Sequence, residues 1–258
     1  MIKDVMIFDS HAHYDSEKFN EDRDYILSEF LPKNNVIGVV NCASDLNSSE
    51  LCLKLAERYD YIYAAVGVHP HEAEESGLFD PDRLKALADH EKCVAIGEIG
   101  LDYHYDFSPR DKQKEWFEGQ LLLANELELP VVVHDREAHA DTWDLLRTHK
   151  PQGVVHCFSG SVEMARDILS LGMYIGLGGA VTFKNAKTPV EVAKYVPLDR
   201  LLLETDCPYM TPVPFRGQRC NSSHIATTAQ TIAEVRGISV EELLTVTAEN
   251  AKKLFSIQ

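Results

Sequence analysis

Three observations predict an α/β fold, a (β/α)8 TIM barrel of eight parallel strands. The chain has 258 residues, close to the roughly 250 that such barrels need. Eight short, wholly apolar runs alternate with amphipathic helical stretches, the pattern of parallel strands covered on both faces. Nothing divides the chain: there is no linker, low-complexity segment or shift of composition. A single domain over residues 1–258 is therefore expected. An open doubly wound sheet is disfavoured because no G-x-G-x-x-G follows the first run and no P-loop is present.

The elements follow in order. The first run is Val5–Phe8, followed by an acidic helical stretch from Glu21 to Leu31. The second is Val36–Val40, with a helix over Asn47–Arg58, and the third is Ile62–Val68, ending in Gly67-Val-His-Pro-His71. Asp80-Pro-Asp-Arg-Leu opens a helix through His90, and Cys93–Gly97 is the fourth run. In the next helix Ser108 is the expected N-cap, with Pro109 at the first helical position and Asp111 in the first turn. Phe117, Leu121, Ala124 and Leu127 form its apolar face. Pro130–Val133 and Gly153–Val155 are the fifth and sixth runs, with helical segments at 138–149 and 162–171. Met173–Leu177 and Arg200–Leu203 are the seventh and eighth. Helices at about 223–236 and 239–255 close the chain, the last opening on a Ser239-Val-Glu-Glu242 capping box.

The net charge of −16 argues against non-specific wrapping of nucleic acid, which needs a basic surface. It leaves room for an enzyme that grips a few phosphates through bound cations, since an ion can reverse the local sign of a site. No stretch reaches the roughly 18 apolar residues of a membrane span, and the N-terminus has no secretory pattern, so a cytoplasmic protein is expected. The six scattered cysteines lack any Cys-x-x-Cys pair and read as buried thiols.

In such barrels the chemistry sits where strands lead into helices. Metal-ligand residue types crowd there: His11 and His13 after run one, His69 and His71 after run three, Glu98 after run four. His134 follows run five, His156 run six, and Glu204 and Asp206 run eight. A single histidine after a strand is ordinarily a satisfied structural residue, and a single glutamate a cap or a solvated side chain. Coincidence at equivalent positions of several strands is different. The side chains converge on one mouth, where unpaired carboxylates and imidazoles are costly without a cation. The constellation predicts a metal site.

The chain resembles the TatD-like metal-dependent deoxyribonucleases, barrel hydrolases related to the amidohydrolases. The matching stretches are Phe8-Asp-Ser-His-Ala-His13, Gly67-Val-His-Pro-His71, Gly97-Glu-Ile-Gly-Leu-Asp-Tyr103 and Leu129-Pro-Val-Val-Val-His-Asp-Arg-Glu137. They continue with Val155-His-Cys-Phe-Ser-Gly160, Leu203-Glu-Thr-Asp-Cys-Pro-Tyr209 and Glu249-Asn-Ala-Lys-Lys-Leu-Phe255. The resemblance implies two divalent cations. His11, His13 and Asp206 would hold one, His134 and His156 the other, and Glu98 would bridge them. Mixed imidazole and carboxylate sites accept Zn, Mn, Co or Ni, with Mg at a weaker site. One departure stands out. The family's Arg-Gly-x-Arg-Asn-Glu-Pro is here Arg216-Gly-Gln-Arg-Cys-Asn-Ser-Ser223, which bears on substrate preference more than on chemistry.

The implied reaction is hydrolysis of DNA phosphodiesters, on short or single-stranded ends, since no sequence-reading motif is present. The catalytic candidates are Asp206, Glu98 and His69: Asp206 to orient the attacking water and take its proton, His69 to contact phosphate or steady the leaving group, with a turn histidine ahead of Pro70 as the equal alternative. Arg136 and Arg216 are candidate phosphate contacts; Arg136, beside Asp135 and Glu137, has the alternative of a surface ion pair. Glu204 is either a partner behind a ligating histidine, the favoured reading, or a plain strand-end carboxylate. Tyr103, His104 and Tyr105 offer a stacking surface for bases, or packing under a loop. The competing enzymatic reading is an ester or amide hydrolase such as a D-aminoacyl-tRNA deacylase, because the fold does not choose the substrate. A non-catalytic metal-stabilised scaffold is the third reading, disfavoured because so few ligands leave open positions on two cations. No membrane or obligate protein partner is expected.

Overall fold

A computed structural model describes residues 6–258, so Val5 of the first predicted run lies outside the described residues. Eight parallel strands form one sheet in sequential order: β1 (Ile7–Ala12), β2 (Val36–Cys42), β3 (Ile62–Val66), β4 (Cys93–Asp102), β5 (Val131–Arg136), β6 (Gly153–Val155), β7 (Tyr174–Leu177) and β8 (Leu201–Leu203). Helices lie between them, giving the expected single-domain (β/α)8 barrel. β8 returns to β1 through a narrow seam instead of a ladder. Ser10 Oγ donates to Leu203 O (3.0 Å), Asp206 N–H to His11 O (3.0 Å) and His13 N–H to Cys207 O (2.8 Å).

Two layers of apolar side chains follow from strand alternation. Phe8, Val40, Ala65, Ala95, Val132, Val154, Tyr174 and Leu202 pack together inside the barrel, with Ala248, Ala251, Leu254 and Phe255 of the last helix against them. Their outward neighbours, including Val39, Ile62, Ile96, Val133, Ile175 and Leu203, pack against the helices. Continuing the inward set towards the strand ends leads from Val132 to His134, from Val154 to His156 and from Leu202 to Glu204. In β4 a register irregularity between Gly97 and Ile99 resets the alternation. Ile96, Ile99 and Leu101 face the helices there, and Glu98 and Asp102 take the other side.

Several boundaries differ from expectation. β4 and β5 run past their apolar cores, so Glu98 and His134 lie within strands; the added residues still pair with one another, Gly100 with His134 and Asp102 with Arg136. Likewise His11 lies within β1. The helix after β4 starts at Arg110 with Pro109 as N-cap. The Ser108 hydroxyl is engaged elsewhere, donating to His71 O (2.8 Å) and accepting from Glu74 N–H (3.0 Å). The first helical stretch covers 23–33 and contains a π turn over Ile26–Phe30. Ser239 caps the Val240–Leu254 helix through Glu242 N–H. A helix over Lys187–Tyr195 was not predicted; it has no side-chain cap and carries Pro189 in its first turn, so its start signals are weak.

Candidate metal centre

All six predicted metal ligands meet at the C-terminal mouth. Glu98 is the hub: buried, its backbone N–H bonded to Ala43 O, it turns its two oxygens to different neighbours. Oε2 faces His11 Nε2 (3.3 Å) and His13 Nε2 (3.5 Å), and these two nitrogens and Asp206 Oδ1 are mutually 3.0 to 3.7 Å apart. Oε1 faces His156 Nε2 (2.7 Å) and His134 Nδ1 (2.8 Å), themselves 3.3 Å apart, with His69 Nε2 at 3.5 Å. Donors arranged tetrahedrally at about 2.0–2.1 Å from a cation are separated by about 3.3 Å. The first group therefore has the spacing of a coordination shell; the second is somewhat tighter.

The hydrogen bonds behind the rings show which nitrogens are available. His13 Nδ1 lies 2.8 Å from Cys42 O, a pure acceptor, so Nδ1 carries the proton and Nε2 presents its lone pair to the cluster. His134 is turned the other way: Nε2 donates to Asp102 Oδ2 (3.2 Å), leaving Nδ1 for the cluster. His156 Nδ1 sits 3.6 Å from Glu204 Oε1, and His11 stacks on His156 with centroids 3.8 Å apart. His11 Nε2 and His13 Nε2 stand 3.0 Å apart in a buried pocket, and two lone pairs held that close repel unless a proton or cation lies between them. Protons serve in the metal-free protein. Burial pulls the His13 pKa down, but Asp206 and Glu98 outweigh it and carry it up to about 9. Burial likewise opposes ionisation of Glu98, yet His156, His11 and His69 hold its carboxyl well below the usual range. Cation uptake should therefore release protons. The donor set and its spacing fit a divalent metal.

His69 behaves differently. Its Nδ1 accepts from His71 N–H (3.1 Å), and burial brings its pKa down to about 4, so the neutral ring carries its proton on Nε2, aimed at the cluster. That is a donor's tautomer, suited to a substrate oxygen. Arg136 follows His134 by two residues at the end of β5, and its guanidinium lies over the Tyr105 ring, 4.9 Å from its centroid. The alternative ion pairs of Arg136 with Asp135 and Glu137 do not form; those carboxylates are taken by His139 and His104. Arg216 points elsewhere: it stacks over Phe183 and donates to Thr211 O within its own loop, and among the described residues no contact joins it to the cluster.

Two supporting carboxylates escaped sequence reading. Asp102 Oδ2 receives His71 Nε2 (2.8 Å) and His134 Nε2, while its Oδ1 accepts the His104 and Tyr105 backbone N–H groups. Its even spacing from Glu98 in one strand was the available signal. Asp9 is fully buried and accepts from Thr205 N–H and Oγ, Ser222 Oγ (2.6 Å) and, more weakly, His11 N–H. It ties β1 to the segment carrying Asp206 and to the departing 216–223 loop, in which Asn221 caps the 3-10 turn Ser222–His224. Asp206 itself takes a left-handed backbone conformation (φ 57°), tolerable for aspartate.

Comparison with known proteins agrees with this architecture. A family model described as TatD related DNase matches residues 8–256. A metal-dependent hydrolase of Bacillus subtilis, YabD, is 44% identical over 255 residues, covering 98% of this chain and all of its own length. The 3′-5′ ssDNA/RNA exonuclease TatD of Citrobacter koseri is 35% identical over 259 residues, covering 97% of this chain and 99% of its own. The crystal structure of the TatD homologue YJJV from Escherichia coli K12 superposes with a TM-score of 0.91 at 32% identity, with 98% of each chain covered.

Proposed function

The chain belongs to the TatD-related DNase family of metal-dependent hydrolases, and from that premise we propose that it is a deoxyribonuclease acting on short or single-stranded DNA ends with two divalent cations, in the cytoplasm. The observation that carries this reading is Glu98, whose two oxygens face two different groups of imidazoles. A carboxylate placed so can serve two cations at once. His11, His13 and Asp206 would hold one, and His134 and His156 the other. Such cations, when bound, supply Lewis acidity that lowers the pKa of water and offsets charge on the attacked phosphate. Zn, Mn, Co, Ni and Mg are the candidate ions.

The chain's own groups have separate tasks. Asp206 is ionised, because His13 and His11 outweigh the burial that opposes its charge, and it is our candidate to orient the water and receive its proton. His69, with its proton on Nε2, donates to a phosphate or leaving-group oxygen. Arg136 contributes a charge-assisted contact to the strand; Arg216, committed to its loop, is withdrawn from that role. The name of the Citrobacter koseri relative, a ssDNA/RNA exonuclease, supports a nucleic-acid substrate.

The test is hydrolysis of 3′- and 5′-labelled single-stranded DNA by metal-free protein reloaded with Mg2+, Mn2+ or Zn2+, beside Glu98→Ala. Metal-dependent cleavage that vanishes in the variant is expected, and the product ladder gives polarity. Absence of cleavage with every cation, in protein shown to hold metal, would overturn the nuclease assignment and move the search to ester and amide substrates.

A further inference from the structure

The loop from Tyr103 to Pro109 holds two aromatic rings out of the protein beside the mouth. Phe107 is 67% exposed and Tyr105 48% exposed, among the most exposed large apolar side chains described. Their rings stack on each other (centroids 5.3 Å apart, 26° between planes), and both meet the ring of His71 edge to face, at 4.8 and 5.5 Å. A floppy loop would bury such rings or leave them mobile; this one is fastened on every side. Asp102 Oδ1 accepts the N–H groups of His104 and Tyr105. Gln113 bridges Asp102 and Ser108 (2.8 Å to Ser108 O), Tyr103 donates to Asp141, and Arg110 clamps Asp106. Rings held this firmly lose little freedom when something stacks on them.

The shelf is joined to the metal centre. The Asp102 carboxylate that fixes the loop through one oxygen receives His71 and His134 through the other, and His134 reaches Glu98. Arg136, the cation beside the shelf, makes no ion pair among the described residues and lies over Tyr105. In a protein of net charge −16, an unpaired arginine against exposed aromatic rings next to imidazoles and carboxylates suits an anion with a flat ring attached. We propose that Phe107 and Tyr105 form a stacking site for a nucleobase of the single-stranded substrate, with Arg136 on a backbone phosphate, so that the strand is held beside the metal centre without regard to sequence. This rests on the nuclease reading above. Aromatic faces accept any base, which matches the lack of sequence-reading elements.

The experiment uses the metal-loaded protein and a short oligodeoxynucleotide carrying 2-aminopurine at one end and phosphorothioate linkages that resist cleavage. Stacking quenches the fluorophore. Wild type and Phe107→Trp should quench it, while Phe107→Ala and Tyr105→Ala should not. The KM for an unmodified oligonucleotide should rise about ten-fold in the alanine variants, the scale of one lost base stack. Equal quenching and equal KM in wild type and Phe107→Ala would overturn the site while leaving the nuclease standing. A wild type that hydrolyses bis(p-nitrophenyl) phosphate but neither binds nor cuts any oligonucleotide would overturn both. A change of sedimentation coefficient in Phe107→Ala would show the shelf to be a contact between copies of the chain, and would overturn it too.

Discussion

Replacing Gly176 by alanine should damage the metal centre from behind. Gly176 lies in β7, and a Cβ there would stand 2.4 Å from Glu204 Oε2 and 3.1 Å from the Cα of His156. Ordinary contact begins near 3.4 Å, so the carboxylate must retreat by about 1 Å, the overpacking penalty of a filled core. It has nowhere to go cheaply, because Glu204 is wholly buried and its Oε1 accepts Cys157 N–H at 2.5 Å. A retreat of that size breaks the bond and leaves the part-buried Cys157 N–H without its partner, costing about 1–3 kcal/mol; the overpacking adds about 1–3 kcal/mol. A loss of roughly 2–6 kcal/mol is expected in urea unfolding of the metal-free protein. Glu204 also stands behind His156 Nδ1, so zinc affinity, measured by competition with a chromophoric chelator, should fall about 10–100-fold. Glu204→Gln, which keeps the shape and removes the charge, separates the two effects: near-normal stability with weakened zinc binding. Wild-type stability and wild-type zinc affinity in Gly176→Ala would refute the idea that Glu204 is fixed behind His156.

Other expectations can be checked as directly. Asp206→Asn should lose most turnover in protein shown by elemental analysis to retain metal; near-normal rates there would sink the assignment of Asp206 to the water. His139 is paired with Asp135 at 2.8 Å, which raises its pKa. Its contribution to stability is therefore complete below pH 6.5 and fades as pH rises through the higher folded value. Because the imidazole is substantially exposed, the loss should be only a few tenths of a kcal/mol, and His139→Gln should flatten that part of the stability profile; an unchanged slope would count against the pair. Of the six free thiols five are buried and Cys157 is partly exposed, and burial, reinforced by Asp206 and Glu204, pushes the Cys157 pKa well up. Native protein should react with at most one equivalent of Ellman's reagent, slowly, and with six after denaturation. Rapid native reaction of two or more thiols would contradict the burial described.

Strand positions, and the side chains that gather at the mouth, were legible because both are written in short-range patterns. Val131-Val-Val and Leu201-Leu-Leu can only be buried strands in this context, and the imidazoles stand directly after or within such runs. What eluded reading depends on partners distant in sequence. Ser108 has every mark of an N-cap, yet its hydroxyl is claimed by His71 O and Glu74 N–H. Arg136 and Arg216 look alike in sequence, and only the packing of Phe183 and Thr211 against one and Tyr105 against the other separates them. Asp102 was within a recognised motif, but its bond to His134 spans two strands whose register no local pattern specifies.

The seam between the first and last strands carries a further consequence, for the order in which the molecule comes into being. Ser10 and Leu203, bonded across it, are 193 residues apart. His11 and His13 leave the ribosome early, whereas Asp206 and the Ser222 that steadies it through Asp9 leave late. A partly synthesised chain thus carries His11 and His13 without Asp206, and the complete donor set exists only once the ring is shut. On the proposed ligand set, tight uptake of metal would be reserved for finished barrels, and a bound ion would act as the clasp that keeps the two ends of the chain together.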